Sequence, residues 1–369
     1  MVHVSRRSFS RSASVLVGGA VLQVACAPQN PELSYDAVAD RTWQSPPTTP
    51  AAGLDNSLEL VRYATLAPSS HNTQCWRYRV GISDIDILPD LERRCPAVDP
   101  DDHHLFISLG CATENLVLAA QALGQRAHAV WDAGKEGVHI ALEPQDHRES
   151  ALFHAMTSRQ NTRSAYDGQP LSAQELELLA RAANADEVQL RLITDRPGIE
   201  RVLEYTIAAN TLQMADVAFT AELKHWIRFN GDDAVASRDG LFSRCTGNPE
   251  VPGWLGKAGF RLLFRPGPEN DKIAAHIRSS AGIAVFAGAR PDKAHWVAVG
   301  RSYQRFALQA TALGIRSAMV NQAVEVTTVR ADFATALGMG VQRPDLVVRF
   351  GRGKAMPRSL RRPVSAVVM

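Results

Sequence analysis

Two stretches of this chain repeat each other. Leu105-Phe106-Ile107-Ser108-Leu109-Gly110-Cys111-Ala112 runs on to Leu118-Ala119-Ala120-Gln121-Ala122-Leu123-Gly124, and Trp296-Val297-Ala298-Val299-Gly300-Arg301-Ser302 runs on to Leu308-Gln309-Ala310-Thr311-Ala312-Leu313-Gly314. Glycines, leucines and small residues fall in the same places, about 190 positions apart. Each stretch reads as an amphipathic helix closed by a glycine C-cap. A second match sets Leu58-Glu59-Leu60-Val61 and Ala64 against Leu176-Glu177-Leu178-Leu179 and Ala182, offset by about 118. Two landmarks in one order imply two copies of one half-domain. The unequal offsets leave about 70 extra residues in the second copy, within about 195–285. An insertion of that length is a lid or a surface excursion. Its aromatic clusters (Trp226 with Phe229; Phe242; Trp254 with Phe260 and Phe264) argue that it packs onto something.

A strand-like stretch follows each glycine-ended helix, Ala127–Trp131 and Arg316–Val320. Val138–Leu142, Leu190–Ile193, Ile283–Ala287 and Leu346–Phe350 read as further strands. The expected class is α+β, with helices around a modest sheet in each copy. The expected organisation is a first half over 57–150 and a second over 151–369. A net charge of +2 and the lack of a long basic stripe argue against nucleic acid as a partner. The five cysteines, Cys26, Cys75, Cys95, Cys111 and Cys245, show no CxxC pair and no ligand spacing with histidine, so no metal site is expected.

The N-terminus begins Ser5-Arg6-Arg7-Ser8-Phe9 and continues into an uncharged run, Ser12 to Ala27. A basic start and a short apolar stretch read as an export signal over 1–27. The paired arginines before Phe9 resemble a twin-arginine signal, which implies an exported, periplasmic protein. Ala25-Cys26-Ala27 is an A-x-A-like cleavage site; alternatively Cys26 is the acylated cysteine of a degraded lipoprotein box, Leu22 to Cys26, and anchors the protein to a membrane. Residues 28–56, rich in Pro, Thr, Asp and Asn, read as a linker.

Three clusters carry polar chemistry. Ala67-Pro68-Ser69-Ser70-His71-Asn72-Thr73-Gln74-Cys75-Trp76 ends a helical run from Leu58 to Leu66, because Pro68 cannot continue it. The loop is crowded with neutral donors and acceptors, suited to the edge of a planar, heteroatom-rich ligand. Arg159 and Arg163, four apart, would share one face of a helix and make a fork for a phosphate. Met319-Val320-Asn321-Gln322 sits at a strand end, where ligand-contacting backbone often lies. Arg352, Arg358, Arg361 and Arg362 follow the final strand.

From about residue 56 onward, this order of motifs resembles the FMN-dependent nitroreductase family. The Pro-Ser-Ser-His-Asn-Thr-Gln-Cys-Trp stretch is the most specific part. That family is typically a homodimer with FMN between subunits. One subunit gives an arginine helix, a strand end and C-terminal basic residues, and the other gives the Pro-Ser-Ser loop. Here the first copy keeps the loop and lacks Arg-x3-Arg; the second keeps Arg159 and Arg163 but reads Asn184-Ala185-Asp186-Glu187 where the loop would be. The resemblance therefore implies a fused, monomeric pseudo-dimer with one FMN, and its long insertion resembles the lid of the Acg-type branch. Carried over, Arg159, Arg163 and Arg361 would hold the phosphate, with Arg358 and Arg362 as further candidates. Ser69, Ser70, His71, Asn72 and Gln74 would line the ring and ribityl edge, and N–H groups near Asn321 and Gln322 would face flavin N5. Cys75 stands where the family has proline, and Asn321-Gln322 replaces its usual Glu-Gly. The implied activity is flavin-mediated hydride transfer from an unknown donor to an unknown acceptor. Because NAD(P)H is not free outside the cytoplasm and a lid would hinder a donor, the alternative is a flavin-sequestering protein with little turnover.

Overall fold

The computed structural model describes residues 34–44, 54–340 and 342–369. The expected signal over 1–27, Cys26 included, lies outside the described residues, as does most of the expected linker. Where that linker is described, the structure corrects it. Tyr35–Thr42 form helix α1, capped by the Ser34 hydroxyl, which accepts from Ala37 N–H at 3.3 Å. Tyr35, Val38, Ala39 and Trp43 are buried. Four apolar residues at helical spacing outweigh the polar composition around them.

Helix α2 (Leu54–Thr65) opens the first half, followed by β1 (Trp76–Val80), β2 (Asp84–Pro89), α3 (His103–Ala122), β3 (Gln125–Asp132) and β4 (Gly137–Pro144). The second half begins with α4 (Ala151–Ala155), α5 (Ala173–Ala183) and β5 (Val188–Ile193). A long excursion comes next: α6 (Arg196–Ala215), α7 (Val217–Trp226), β6 (Ile227–Arg228), α8 (Gly231–Ser237), β7 (Leu241–Phe242), α9 (Gly253–Leu263) and α10 (Pro266–Arg278). The chain then resumes with β8 (Gly282–Gly288), α11 (Lys293–Ala312), β9 (Arg316–Met319), α12 (Gln322–Glu325), α13 (Thr327–Ala336) and β10 (Leu346–Gly351).

The two halves have one topology. Their antiparallel sheets run β1-β2-β4-β3 and β5-β8-β10-β9. Matching α2 with α5, β1 with β5, β2 with β8, α3 with α11, β3 with β9 and β4 with β10 superposes one order on the other. The helix contacts agree: α2 packs on α3 and α5 packs on α11. Residues 81–83 join β1 to β2, whereas residues 194–281 separate β5 from β8, so the whole excursion replaces one hairpin turn. All six expected strands are present; β1 and β2 were not expected.

Helices α3 and α11 form the seam between halves and make the most extensive helix pair in the molecule. Every residue of α3 except Gln121 is buried. Though long and apolar enough to cross a membrane, it is a core helix, hydrophobic all round because protein covers it on all sides. The repeated glycines meet there. A Cβ on Gly110 would lie 2.1 Å from the Val297 carbonyl oxygen, and one on Gly300 would lie 2.0 Å from that of Ile107. Polar groups flank the contact: buried Gln304 Nε2 donates to Asn115 Oδ1 at 2.7 Å, and the half-buried Arg301 and Arg305 pair with buried Glu114 at 2.9 and 3.1 Å.

The insertion packs as its aromatics suggest, except at one point. Trp226 joins Phe219, Cys95 and Val98 across the boundary with the first half. Phe242 packs on Tyr35 of α1, with ring centroids 4.2 Å apart. Trp254 is 73% exposed and packs on nothing comparable.

Gly300→Ala forces the two central helices apart and should destabilise the protein by about 3 kcal/mol in urea unfolding. Gly267→Ala meets no atom within 4 Å and serves as the control, remaining within about 1 kcal/mol of the parent.

Candidate functional site

The Pro68 loop leaves α2 through a tight set of local bonds. Asn72 N–H donates to Ser69 O at 3.0 Å, Thr73 N–H to Ser70 O at 2.9 Å, and Gln74 N–H to the Ser69 hydroxyl at 2.9 Å. The turn holds His71, Asn72 and Gln74 at φ of 47°, 54° and 55°, three non-glycine residues in the left-handed region. Each costs about 1–3 kcal/mol and persists only where its surroundings over-determine it.

The insertion and the C-terminal segment supply that constraint. Asn72 Nδ2 donates to Gly240 O at 3.1 Å, and Gly240 N–H donates back to Asn72 O at 3.1 Å. Gln74 Nε2 donates to Arg238 O at 2.9 Å, while its Oε1 accepts from Arg362 N–H at 2.7 Å. Beside them Asp239 bridges Arg93 of the first half and Arg228 of the insertion. The tip of the insertion is therefore bound to the loop it covers.

Below the loop lies a chamber of about 280 Å³, walled by the first half (Ser69, Ser70, His71, Ser108), the second half (Arg163, Asn321, Gln322, Glu325) and the insertion from Asn210 to His276. A smaller chamber of about 60 Å³ adjoins it; the two share Pro68, Ser69, Asn161, Arg163 and Leu241. Four arginines line the smaller one, Arg159, Arg163, Arg358 and Arg361, and no carboxylate does. Burial, followed by the charge of Arg159, pushes Arg361 down to about 9. Such an excess of buried positive charge favours an anion.

The arginines differ in what they already hold. Arg361 donates to the carbonyls of Thr65, Leu66 and Ala67 at 2.7, 3.2 and 3.1 Å, and to Asn72 Oδ1 at 2.9 Å. It caps the negative end of α2 and braces the loop. Arg159 donates through Nη2 to Leu66 O at 3.0 Å, and its buried Nε has no partner among the described residues. The guanidinium of Arg163 has neither a hydrogen bond nor an ion pair among the described residues, and it lines both chambers. Arg159 and Arg163 do not share a helix face as expected. Helix α4 ends at Ala155, residues 156–158 turn, and from Asn161 the chain runs beside β9, where Thr162 N–H bonds Ser317 O at 2.9 Å.

The other expected residues divide. Ser69, Ser70 and His71 line the larger chamber, and Asn72 lines the smaller. Gln74 lies outside both, fully buried as a strut between the loop, the insertion and the tail. Asn321 and Gln322 line the larger chamber; Asn321 Oδ1 accepts from Val347 N–H at 2.9 Å, and the buried Oε1 of Gln322 has no partner among the described residues.

Sequence reasoning missed Glu325 and His104. Glu325 lines the chamber, accepts from Gln213 Nε2 at 2.7 Å and stands 3.8 Å from His104 Nδ1. Burial raises its pKa to about 7. Burial, then His103, lowers His104 to about 3, so it stays neutral. Neither residue belongs to a motif; only the four-residue helix after the Asn321-Gln322 cluster brings Glu325 to the wall.

No protein-family model matches the chain. A Mycobacterium tuberculosis protein named as a proposed NAD(P)H nitroreductase is 27% identical over 323 residues, covering 84% of this chain and 90% of that protein. A second, Acg of the same organism and named likewise, is 23% identical over 328 residues, covering 83% and 93%. The crystal structure of an FMN-dependent nitroreductase from Mycobacterium smegmatis in complex with NADPH gives a TM-score of 0.36 at 13% identity, over 55% of this chain and 88% of that one.

The native state favours neutral Glu325, so between pH 4.5 and about 7 it binds more protons than the unfolded chain. Stability from this group therefore falls as pH rises through that window, by up to about 3 kcal/mol. Glu325→Gln should remove that slope, read as the difference between the two proteins in urea unfolding at pH 5 and pH 8. In sequence, over most of its length, the chain is similar to proteins named as nitroreductases.

Proposed function

We propose that this protein is an FMN-binding oxidoreductase of the nitroreductase type, with its single site at the junction of the two halves. One observation carries the proposal: the unpartnered Arg163 guanidinium of the second half and the Ser69–Ser70 hydroxyls of the first half wall the same chamber. An acid-free pouch of arginines suits a phosphate, and the adjoining chamber offers neutral donors beside apolar surface from Ile107, Leu223 and Leu346. That is the chemistry of a ring with polar edges joined to an anionic tail. The names of the two mycobacterial relatives point to the same class of reaction.

When bound, the flavin accepts and returns hydride. The residues of this chain orient it and set its surroundings. Arg163 and Arg159 would hold the phosphate, with Arg361 keeping the loop in place behind them. Ser69, Ser70 and His71 would take the polar edge of the ring or the ribityl chain. Asn321 and Gln322 close the opposite wall, where the unpartnered Gln322 Oε1 is ready for a donor. Glu325, neutral near pH 7, holds a proton at the chamber wall. The insertion supplies one wall of the chamber and would shield a bound flavin from water on that side, strengthening the electrostatic contacts there.

That same closure supports a second reading, a protein that sequesters flavin with little turnover. Anaerobic addition of NADH or NADPH separates the two: rapid bleaching followed by reoxidation with a nitro compound or quinone supports the enzyme, and an oxidised flavin that persists supports sequestration. Export through a twin-arginine signal, with or without a lipid on Cys26, is also our proposal; fractionation of the native cell with the label in the periplasm or membrane would support it.

The protein should carry one FMN per chain. Arg163→Ala should weaken FMN about 10–100-fold while leaving riboflavin, which has no phosphate, within about twofold. An equal loss for both ligands in fluorescence titration would remove Arg163 from the phosphate.

A further inference from the structure

Three clusters of metal-ligating side chains occur among the described residues: Asp84, Asp86 and His139; Asp99, His103 and His104; and His71, Cys95 and Glu222. The first two are already neutralised. Asp86 accepts from Lys135 Nζ at 2.9 Å and lies 2.8 Å from His139 Nδ1. Asp99 accepts from the His104 and Leu105 N–H groups and lies 2.8 Å from His103 Nδ1.

The third cluster differs. Glu222, on α7 of the insertion, accepts only the Ala97 and Val98 N–H groups, at 3.0 and 3.1 Å. No Lys or Arg pairs with it among the described residues. Burial raises its pKa, as it does that of Cys95. His71 is kept neutral, pushed down to about 4 by burial and by Arg163, so its ring offers a lone pair. A thiol, a neutral imidazole and a carboxylate thus converge with their ligand atoms all within 4.8 Å of one another. Cys95 Sγ lies 3.6 Å from His71 Nδ1. With Zn–S at about 2.3 Å and Zn–N at about 2.0 Å, a tetrahedral angle separates the two atoms by about 3.5 Å, close to the distance found.

We propose that His71, Cys95 and Glu222 form a site for a divalent, zinc-like cation on the seam between the first half and the insertion. Binding displaces the Cys95 proton to solvent, and thiolate plus carboxylate then balance the two positive charges. Three protein ligands leave a fourth position for water or a ligand oxygen. His71 also lines the larger chamber, so the cation stands at its rim. It ties the first half to α7, beside the Asp239 bridge. A cation here also gives the His71 ring a polar partner besides Cys95, which it otherwise lacks among the described residues. The inference does not depend on the flavin.

The test loads the full-length protein with zinc and then desalts it, with or without flavin, which is silent at the zinc X-ray edge. One zinc per chain is expected, with a single sulfur neighbour near about 2.3 Å. Cys95→Ser should remove the sulfur, and Glu222→Gln should weaken zinc by at least the roughly 10–100-fold that loss of an outer-shell partner costs. Asparagine tolerates the left-handed backbone, so His71→Asn gives a second variant expected to fold and to lose zinc. Failure of the parent to retain zinc, more than one sulfur, or a sulfur that persists in Cys95→Ser would each overturn the proposal.

Discussion

The structure depends on the crossing of α3 and α11, where two glycines let the helix backbones touch. Side chains at Gly110 and Gly300 would hold the halves apart, and one flank of α3, His104 to Cys111, lines the larger chamber. Close approach also brings Glu114 within reach of Arg301 and Arg305, and Asn115 within reach of Gln304. These polar pairs can form only in one register, so they favour it. The pseudo-dimer is thereby a single core rather than two domains on a string: one hydrophobic cluster runs from Leu60 of α2 through Phe106 of α3 to Phe306 of α11 and Phe350 of β10.

Within that shared topology the halves differ. Between β1 and β2 the chain needs only a turn; between β5 and β8 it builds five α-helices and two short strands. Those elements reach across the molecule and bond the Pro68 loop, holding three non-glycine residues in the left-handed region. Strain in the loop and closure by the insertion are two aspects of one arrangement, because the bonds from Arg238 and Gly240 hold both in place. The C-terminal segment completes it. Arg361 and Arg362 tie the loop from behind, and Trp43 at the end of α1 lies under the Arg361 guanidinium, 4.9 Å from its ring centre.

Much of this was legible in the sequence, for physical reasons. Helical period and glycine caps identify α3 and α11, and runs of β-branched residues identify β8 and β10. The Pro68 cluster marks a loop that must turn. Other features were hidden. Strand β1 reads Trp-Arg-Tyr-Arg-Val, a period-two alternation with Trp76 and Tyr78 buried, so its signal was present and went unread beside the polar Pro68 loop. Helix α1 was obscured by polar neighbours. Arg159 and Arg163 suggested a helix because spacing by four is a helical signal, yet α4 is only five residues long and the chain beyond it pairs with β9.

The sequence alone determined that there are two copies of one unit, that one copy holds the loop and the other the arginines, and where the extra segment falls. These follow from composition and period, which act over a few residues. Tertiary structure decided what each polar side chain faces. Gln74 and Arg361 brace the loop while Arg163 has no partner among the described residues, Glu325 enters the chamber wall, and Cys95 meets His71 and Glu222 from distant parts of the chain. No local signal encodes those meetings, because they arise only when the helix crossing sets the distance between the halves and the insertion folds back over it.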